Sequence, residues 1–143
     1  MPTVAARSQL SSELRISVMR LARRLRAERS DPDLSLTQIS TLGTLDRYGP
    51  LSPGELAEHE RVQPPSMTRT VASLVERGLV TRSPHPLDRR QVVVSLTSEA
   101  RRILKEDRRR RDAWLSKRLE ELDVSDSMLL AAAAPILERL AGA

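Results

Sequence analysis

The chain has 143 residues, enough for one domain with a real core. It carries 24 Lys and Arg against 19 Asp and Glu, a formal net charge of +5, and a pI near 10.8, which favours an anionic partner, nucleic acid first. Cysteine is absent, so disulfides, thiol chemistry and Cys-based zinc sites are excluded. No apolar run reaches membrane-spanning length and the N-terminus lacks a signal-peptide core, so no membrane partner and a cytoplasmic location are expected.

Lys105 and Lys117 are the only lysines. Arginine suits bidentate contacts to phosphate and guanine, though a codon bias toward arginine would account for the excess equally well. Phe is missing, and Trp114 and Tyr48 are the only aromatic residues, so the core must be aliphatic.

In chain order, residues 1–7 are expected to be loose. A long first helix is predicted from about Ser8 to Glu28, with Leu10, Leu14, Val18, Leu21 and Leu25 on one stripe and arginines elsewhere. Ser30-Asp31-Pro32-Asp33 ends it. Ser35 with Gln38 forms a capping box and Leu34 with Ile39 a hydrophobic staple, starting a second helix that runs to about Tyr48 before Gly49-Pro50. The N–H groups at its start, with Ser35 and Thr37, are a candidate phosphate clamp, although plain capping explains these residues more simply.

Ser52, Pro53 and Glu55 repeat the start signal, with Leu51 and Leu56 as staple, for a short helix to about Glu58. Pro64 and Pro65 open the next, predicted to Arg77 and stopped by Gly78. Two short helices joined by about four residues make a helix-turn-helix. In the second, Met67, Val71, Leu74 and Val75 form the buried stripe. The opposite face holds Ser66, Arg69, Thr70, Ser73 and Arg77 and no carboxylate until Glu76. A solvated face usually mixes charge signs, whereas this one offers donors to a DNA groove. Pro65, Ser66, Thr68, Arg69, Thr70 and Ser73 are the candidate recognition residues, nearest the bases at the helix start.

Leu79–Arg82 and Gln91–Leu96 read as strands, with Val92, Val94 and Leu96 turned inward. Between them a proline-stiffened tip ends in Asp88-Arg89-Arg90. A basic hairpin directly after a helix-turn-helix reads as a wing, a solvated loop being the plainer alternative. Arg77 and Arg82 are further candidate phosphate contacts. Thr97 caps a long helix from Ser98 to about Glu121, with Ala100, Ile103, Leu104, Trp114, Leu115, Leu119 and Leu122 at buried positions. Its run Arg108–Arg111 is read either as a phosphate contact or, preferably, as a solvated linker helix. Ser125 is expected to cap a last helix, Met128–Leu140, which Pro135 should kink or split. Its Ala and Leu content suggests an interface.

No catalytic constellation, metal-ligand spacing or phosphate-binding glycine loop is evident. His59 and His85 lack ligating partners, so no enzyme, metal or cofactor is expected.

Val62-Gln63-Pro64-Pro65-Ser66-Met67-Thr68-Arg69, Leu74-Val75-Glu76-Arg77-Gly78-Leu79-Val80, Asp88-Arg89-Arg90 and Val94-Ser95-Leu96-Thr97 together resemble the MarR family of bacterial winged-helix regulators, and the flanking helices extend the resemblance over nearly the whole chain. The resemblance implies a mainly α fold with a small β-hairpin (α+β). A winged helix-turn-helix over 34–97 would join an interleaved all-α dimerisation region from 1–33 and 98–143. It further implies a homodimer on a pseudo-palindromic operator of double-stranded DNA, with Leu10, Leu14, Leu137 and Leu140 in its interface. A small organic anion is the implied effector, entering an aliphatic pocket rimmed by arginine. At the wing tip the family pairs an Asp with an Arg that enters the minor groove. Asp88 with Arg90 or Arg89 fits that pattern, and the sequence does not choose between them. The main alternative is a non-specific nucleic-acid-binding or nucleoid-type protein. A protein-interaction module built on a winged helix is a third reading.

Overall fold

A computed structural model describes residues 1–142. Six helices and one hairpin follow one another: α1 (Val4–Ala27), α2 (Leu36–Tyr48), α3 (Pro53–Glu60), α4 (Pro64–Glu76), β1 (Val80–Pro84), β2 (Val92–Leu96), α5 (Ser98–Leu119) and α6 (Val124–Gly142). They divide into two compact units: residues 29–109, and residues 1–28 with 110–142. The mainly α fold with a β-hairpin is the one the sequence indicated.

The unit of residues 29–109 holds the hydrophobic core. Leu34, Leu42, Leu45, Leu56, Met67, Val71, Leu74, Leu79, Val80, Val94, Ala100, Ile103 and Leu104 belong to one buried cluster. Both capping boxes form in full. In α2 the Ser35 hydroxyl accepts from Gln38 N–H and Gln38 accepts from Ser35 N–H; in α3, Ser52 and Glu55 do the same. These satisfy backbone donors that a helix start otherwise leaves without partners. The Glu55 carboxyl is accordingly held below its ordinary range, first by the Ser52 backbone N–H and then by the Ser52 hydroxyl.

The hairpin pairs antiparallel from Val80 with Leu96 to Pro84 with Val92. Leu51 adds a rung beside β2, its N–H and carbonyl both exchanging hydrogen bonds with Val94. Ser83 and Pro84, expected in the tip, belong to β1. Val92 does not turn inward: it is exposed, because it pairs with Pro84 at the far end of the ladder, beyond the core.

Asp107 was not foreseen. It is buried on the stripe begun by Ala100, Ile103 and Leu104, and its Oδ1 accepts both the N–H (2.7 Å) and the hydroxyl (2.8 Å) of Ser30. Nearby, Arg108 pairs with Asp46 of α2 at 2.8 Å.

The other unit is built differently, for neither α1 nor α6 has a buried residue. Arg111 donates to the carbonyl of Leu25, and the Arg24 guanidinium lies 4.6 Å from the centre of the Trp114 ring. Three expectations need correction here. Residues 4–7 are helical rather than loose, because Thr3 caps α1 by accepting from Ala6 N–H and Ala5 and Ala6 favour the helix. Asp123, not Ser125, is the cap of α6: its carboxylate accepts from Asp126 N–H at 2.7 Å, so the helix starts at Val124. Pro135 does not split α6, which continues to Gly142. Trp114 and Leu115 are only half-buried, and Leu119 and Leu122 are exposed.

Candidate nucleic-acid interface

Helix α4 is anchored by Met67, Val71 and Leu74, all essentially inaccessible to solvent. That anchoring fixes which residues face outward. Thr68 and Arg69 are exposed, and Pro65 is exposed beside them; Ser66, Thr70 and Ser73 are half-buried. The first turn contains no acidic residue. The hydroxyls of Thr68 and Thr70 donate back to the carbonyls of Pro64 (3.0 Å) and Ser66 (3.1 Å). Their protons are therefore committed, and what they offer outward is an acceptor and a methyl group. Arg69 keeps a single long contact, 3.4 Å to the Ser66 hydroxyl, which leaves its guanidinium available as the strong donor of the face.

Ser73 and Arg77 are placed differently from the rest of the predicted stripe. Ser73 donates to Thr70 O at 2.7 Å and accepts from Gln38 of α2 at 3.0 Å. Arg77 pairs with Asp31 in the segment before α2. Both bonds tie α4 into its own unit, and neither partner was visible in the sequence. Helix α4 ends in a Schellman turn, with Gly78 N–H on Val75 O and Leu79 N–H on Leu74 O, and Gly78 takes the left-handed backbone (φ 71°) that this turn requires.

The wing tip closes on itself. His85 N–H donates to Gln91 O, Gln91 N–H to Asp88 O, and Leu87 N–H to His85 Nδ1. Asp88 Oδ1 accepts from both the backbone N–H (3.1 Å) and Nε (3.2 Å) of Arg90. The Arg90 side chain is otherwise open to solvent, with 92% of its surface exposed. Of the two arginines left open by the sequence, Arg90 is the one that Asp88 holds; Arg89 and Arg82 are exposed and have no side-chain partner among the described residues. The Arg90 side chain, and then its backbone, lowers the Asp88 carboxyl below its ordinary value of 3.8. A depressed carboxyl makes its contribution above the ordinary value and loses it as pH falls through the lowered one. The Asp88–Arg90 contact is thus intact throughout the neutral range.

Ser35 is occupied by its capping box, while Thr37 is exposed beside it. Of the arginine run, Arg108 pairs with Asp46 and Arg109 with Glu106, and Arg111 bonds Leu25 O. That pattern favours a helix held by its own neighbours. A groove of 410 Å³ at the foot of the wing is lined by Glu55, His85, three prolines, three serines and Val93. With a carboxylate and no arginine, it does not match the anion pocket expected from the sequence.

Residues 34–92 match the MarR family. Over 91% of both chains, the protein is 45% identical to the HTH-type transcriptional regulator MT0903.1 of Mycobacterium tuberculosis. Over about half of each chain (52% and 47%) it is 39% identical to the HTH-type transcriptional repressor NicR of Pseudomonas putida. Among solved structures, a putative transcriptional regulator of Pseudomonas aeruginosa superposes with a TM-score of 0.86 at 39% identity, covering 98% of each chain. With a helix-turn-helix, a hairpin and an outward face of hydroxyls and guanidinium already established, these similarities have one reading: the chain belongs to the MarR family of DNA-binding, winged helix-turn-helix transcriptional regulators.

Proposed function

We propose that the protein is a homodimeric, sequence-specific repressor that binds a pseudo-palindromic operator and acts in the cytoplasm. The observation that carries this reading is the composition of the anchored α4 face. Ser66, Thr68, Arg69 and Thr70 present hydrogen-bonding groups beside Pro65 without one carboxylate, above a core that holds their register. Base readout needs such fixed, directional groups, whereas packaging needs mainly charge. Repression is the reading suggested by the similarity to the Pseudomonas putida transcriptional repressor NicR. Release by a small organic anion is the mode of control that the family resemblance suggests, and without cysteine a thiol-based oxidant switch is not available. Selection of bound fragments from total genomic DNA tests the function. An inverted repeat should be enriched, whereas fragments recovered without a common sequence would favour the non-specific alternative.

The wing reading has its own test. Arg90 enters the minor groove and Asp88 orients it. Asp88→Ala removes a negative charge, yet it should weaken binding as Arg90→Ala does. If Arg90 neutralises a phosphate, the slope of log affinity against log salt should shrink by about 0.9 per protomer in both variants. Tighter binding by Asp88→Ala at every salt concentration would mean that Asp88 merely repels DNA.

A further inference from the structure

We infer that Arg61, in the turn between α3 and α4, is a phosphate-contacting residue kept there against the preference of the backbone. The inference rests on the reading that α4 enters a DNA groove. Two helices of this chain end in the same Schellman turn. Arg61 N–H bonds Glu58 O (3.2 Å) and Val62 N–H bonds Ala57 O (3.1 Å), just as Gly78 and Leu79 bond Val75 and Leu74 at the end of α4. Both turns need one residue in the left-handed region. Gly78 fills that place after α4, and Gly49, also at positive φ, follows α2. After α3 the place is taken by Arg61, at φ 54° and ψ 45°, the one non-glycine residue with positive φ among those described. A Cβ crowds the backbone there; glycine would satisfy the same two hydrogen bonds without that cost, and asparagine at a smaller one because its side chain can hydrogen-bond locally. The Arg61 side chain is exposed and has no hydrogen bond or ion pair among the described residues. No side-chain contact among the described residues therefore accounts for arginine at this position.

A second observation gives the side chain a task. The start of α4 is poor in the donors with which helices usually take a phosphate. Pro64 and Pro65 have no N–H, the Ser66 and Met67 N–H groups already bond Gln63 O, and Gln63 makes no side-chain cap. Arg61 is the only arginine or lysine between Arg47 and Arg69. A phosphate flanking the groove at this end of α4 finds few backbone donors, and Arg61 is the cation that stands just before the helix in the chain. Strain stored in the backbone at such a place is what a functional side chain would retain. The competing account is electrostatic: a cation at the C-terminus of α3 favours the helix dipole.

The test uses Arg61→Gly, Arg61→Asn and Arg61→Lys in the full chain, with thermal unfolding and affinity for a random-sequence duplex measured across a salt series. The phosphate role expects Gly and Asn variants with melting temperatures equal to or above that of the parent. Their salt slope should be smaller by about 0.9 per protomer, and Lys should retain it. Unchanged affinity and slope in the Gly and Asn variants would overturn the inference. So would a lowered melting temperature with an unchanged slope, the signature of the helix-dipole account. If the parent itself showed no salt-dependent binding, the groove reading would fail, and the inference with it.

Discussion

Arg69→Ala is expected to weaken operator binding by about 1–3 kcal/mol per half-site, hence about 2–6 kcal/mol for a dimer engaging both halves, and to relax preference at one base position in each half. The expectation follows from where the hydroxyl protons of α4 go. Thr68 and Thr70 spend theirs on helix carbonyls. Arg69 is left as the exposed group able to donate two parallel hydrogen bonds, the geometry that matches a guanine edge. Arg69→Lys separates charge from geometry: it should keep the salt dependence and lose the base preference. The measurement is affinity for the operator and for its single-base variants. A base preference identical to that of the parent would remove Arg69 from sequence readout and leave it as a phosphate contact.

The double change Leu137→Glu with Leu140→Glu should abolish the dimer. Helices α1 and α6 bury nothing within one chain, and Leu10, Leu14, Leu137 and Leu140 are 51%, 38%, 40% and 63% exposed. Apolar surface left open on this scale marks an interface. Burying a fully exposed leucine stabilises by about 1.5–3 kcal/mol, and since Leu137 and Leu140 are about half covered already, their remaining surface on two protomers represents about 3–6 kcal/mol of association that carboxylates would forfeit. Sedimentation at micromolar concentration should report the mass of one chain, or an unfolded one, and operator binding should be lost. Leu36→Glu is the control, because Leu36 is equally exposed but lies at the start of α2, and it should leave the mass unchanged. A double variant that still sediments as two chains would sink the dimerisation reading of α6.

The parts of the fold legible in the sequence are those specified by neighbouring residues. Both capping boxes and the stop at Gly78 were readable because each is encoded within about five residues, and the buried stripe of α4 and the hairpin because each shows its period within one short stretch of chain. The parts that were not readable depend on partners far along the chain. Ser30 and Asp107 lie 77 residues apart, Asp31 and Arg77 lie 46 apart, and Gln38 and Ser73 lie 35 apart. Asp107 did leave a trace, since it continues the spacing of Ala100, Ile103 and Leu104, but a carboxylate on a buried stripe reads as a break until its partner is known. Arg61 left none, because a left-handed backbone is normally announced by glycine. Of the two outcomes expected at Pro135, a kink or a split, the split does not occur. A proline inside a helix removes one hydrogen bond and one turn's fit, and the remainder of α6, rich in alanine and leucine, carries the helix through.

Gln38 closes its capping box with the side-chain oxygen and donates to Ser73 with the side-chain nitrogen. Glutamate serves equally well in an ordinary box, but it has no hydrogen to donate. Ser73 already directs its own proton to Thr70, so a carboxylate at position 38 would bring two acceptors face to face. The amide is thus chosen by the readout helix rather than by the helix it caps. Interchangeable residues become non-interchangeable when one side chain answers to two segments, and a change from amide to carboxylate at position 38 would be felt in α4, a helix that it does not cap.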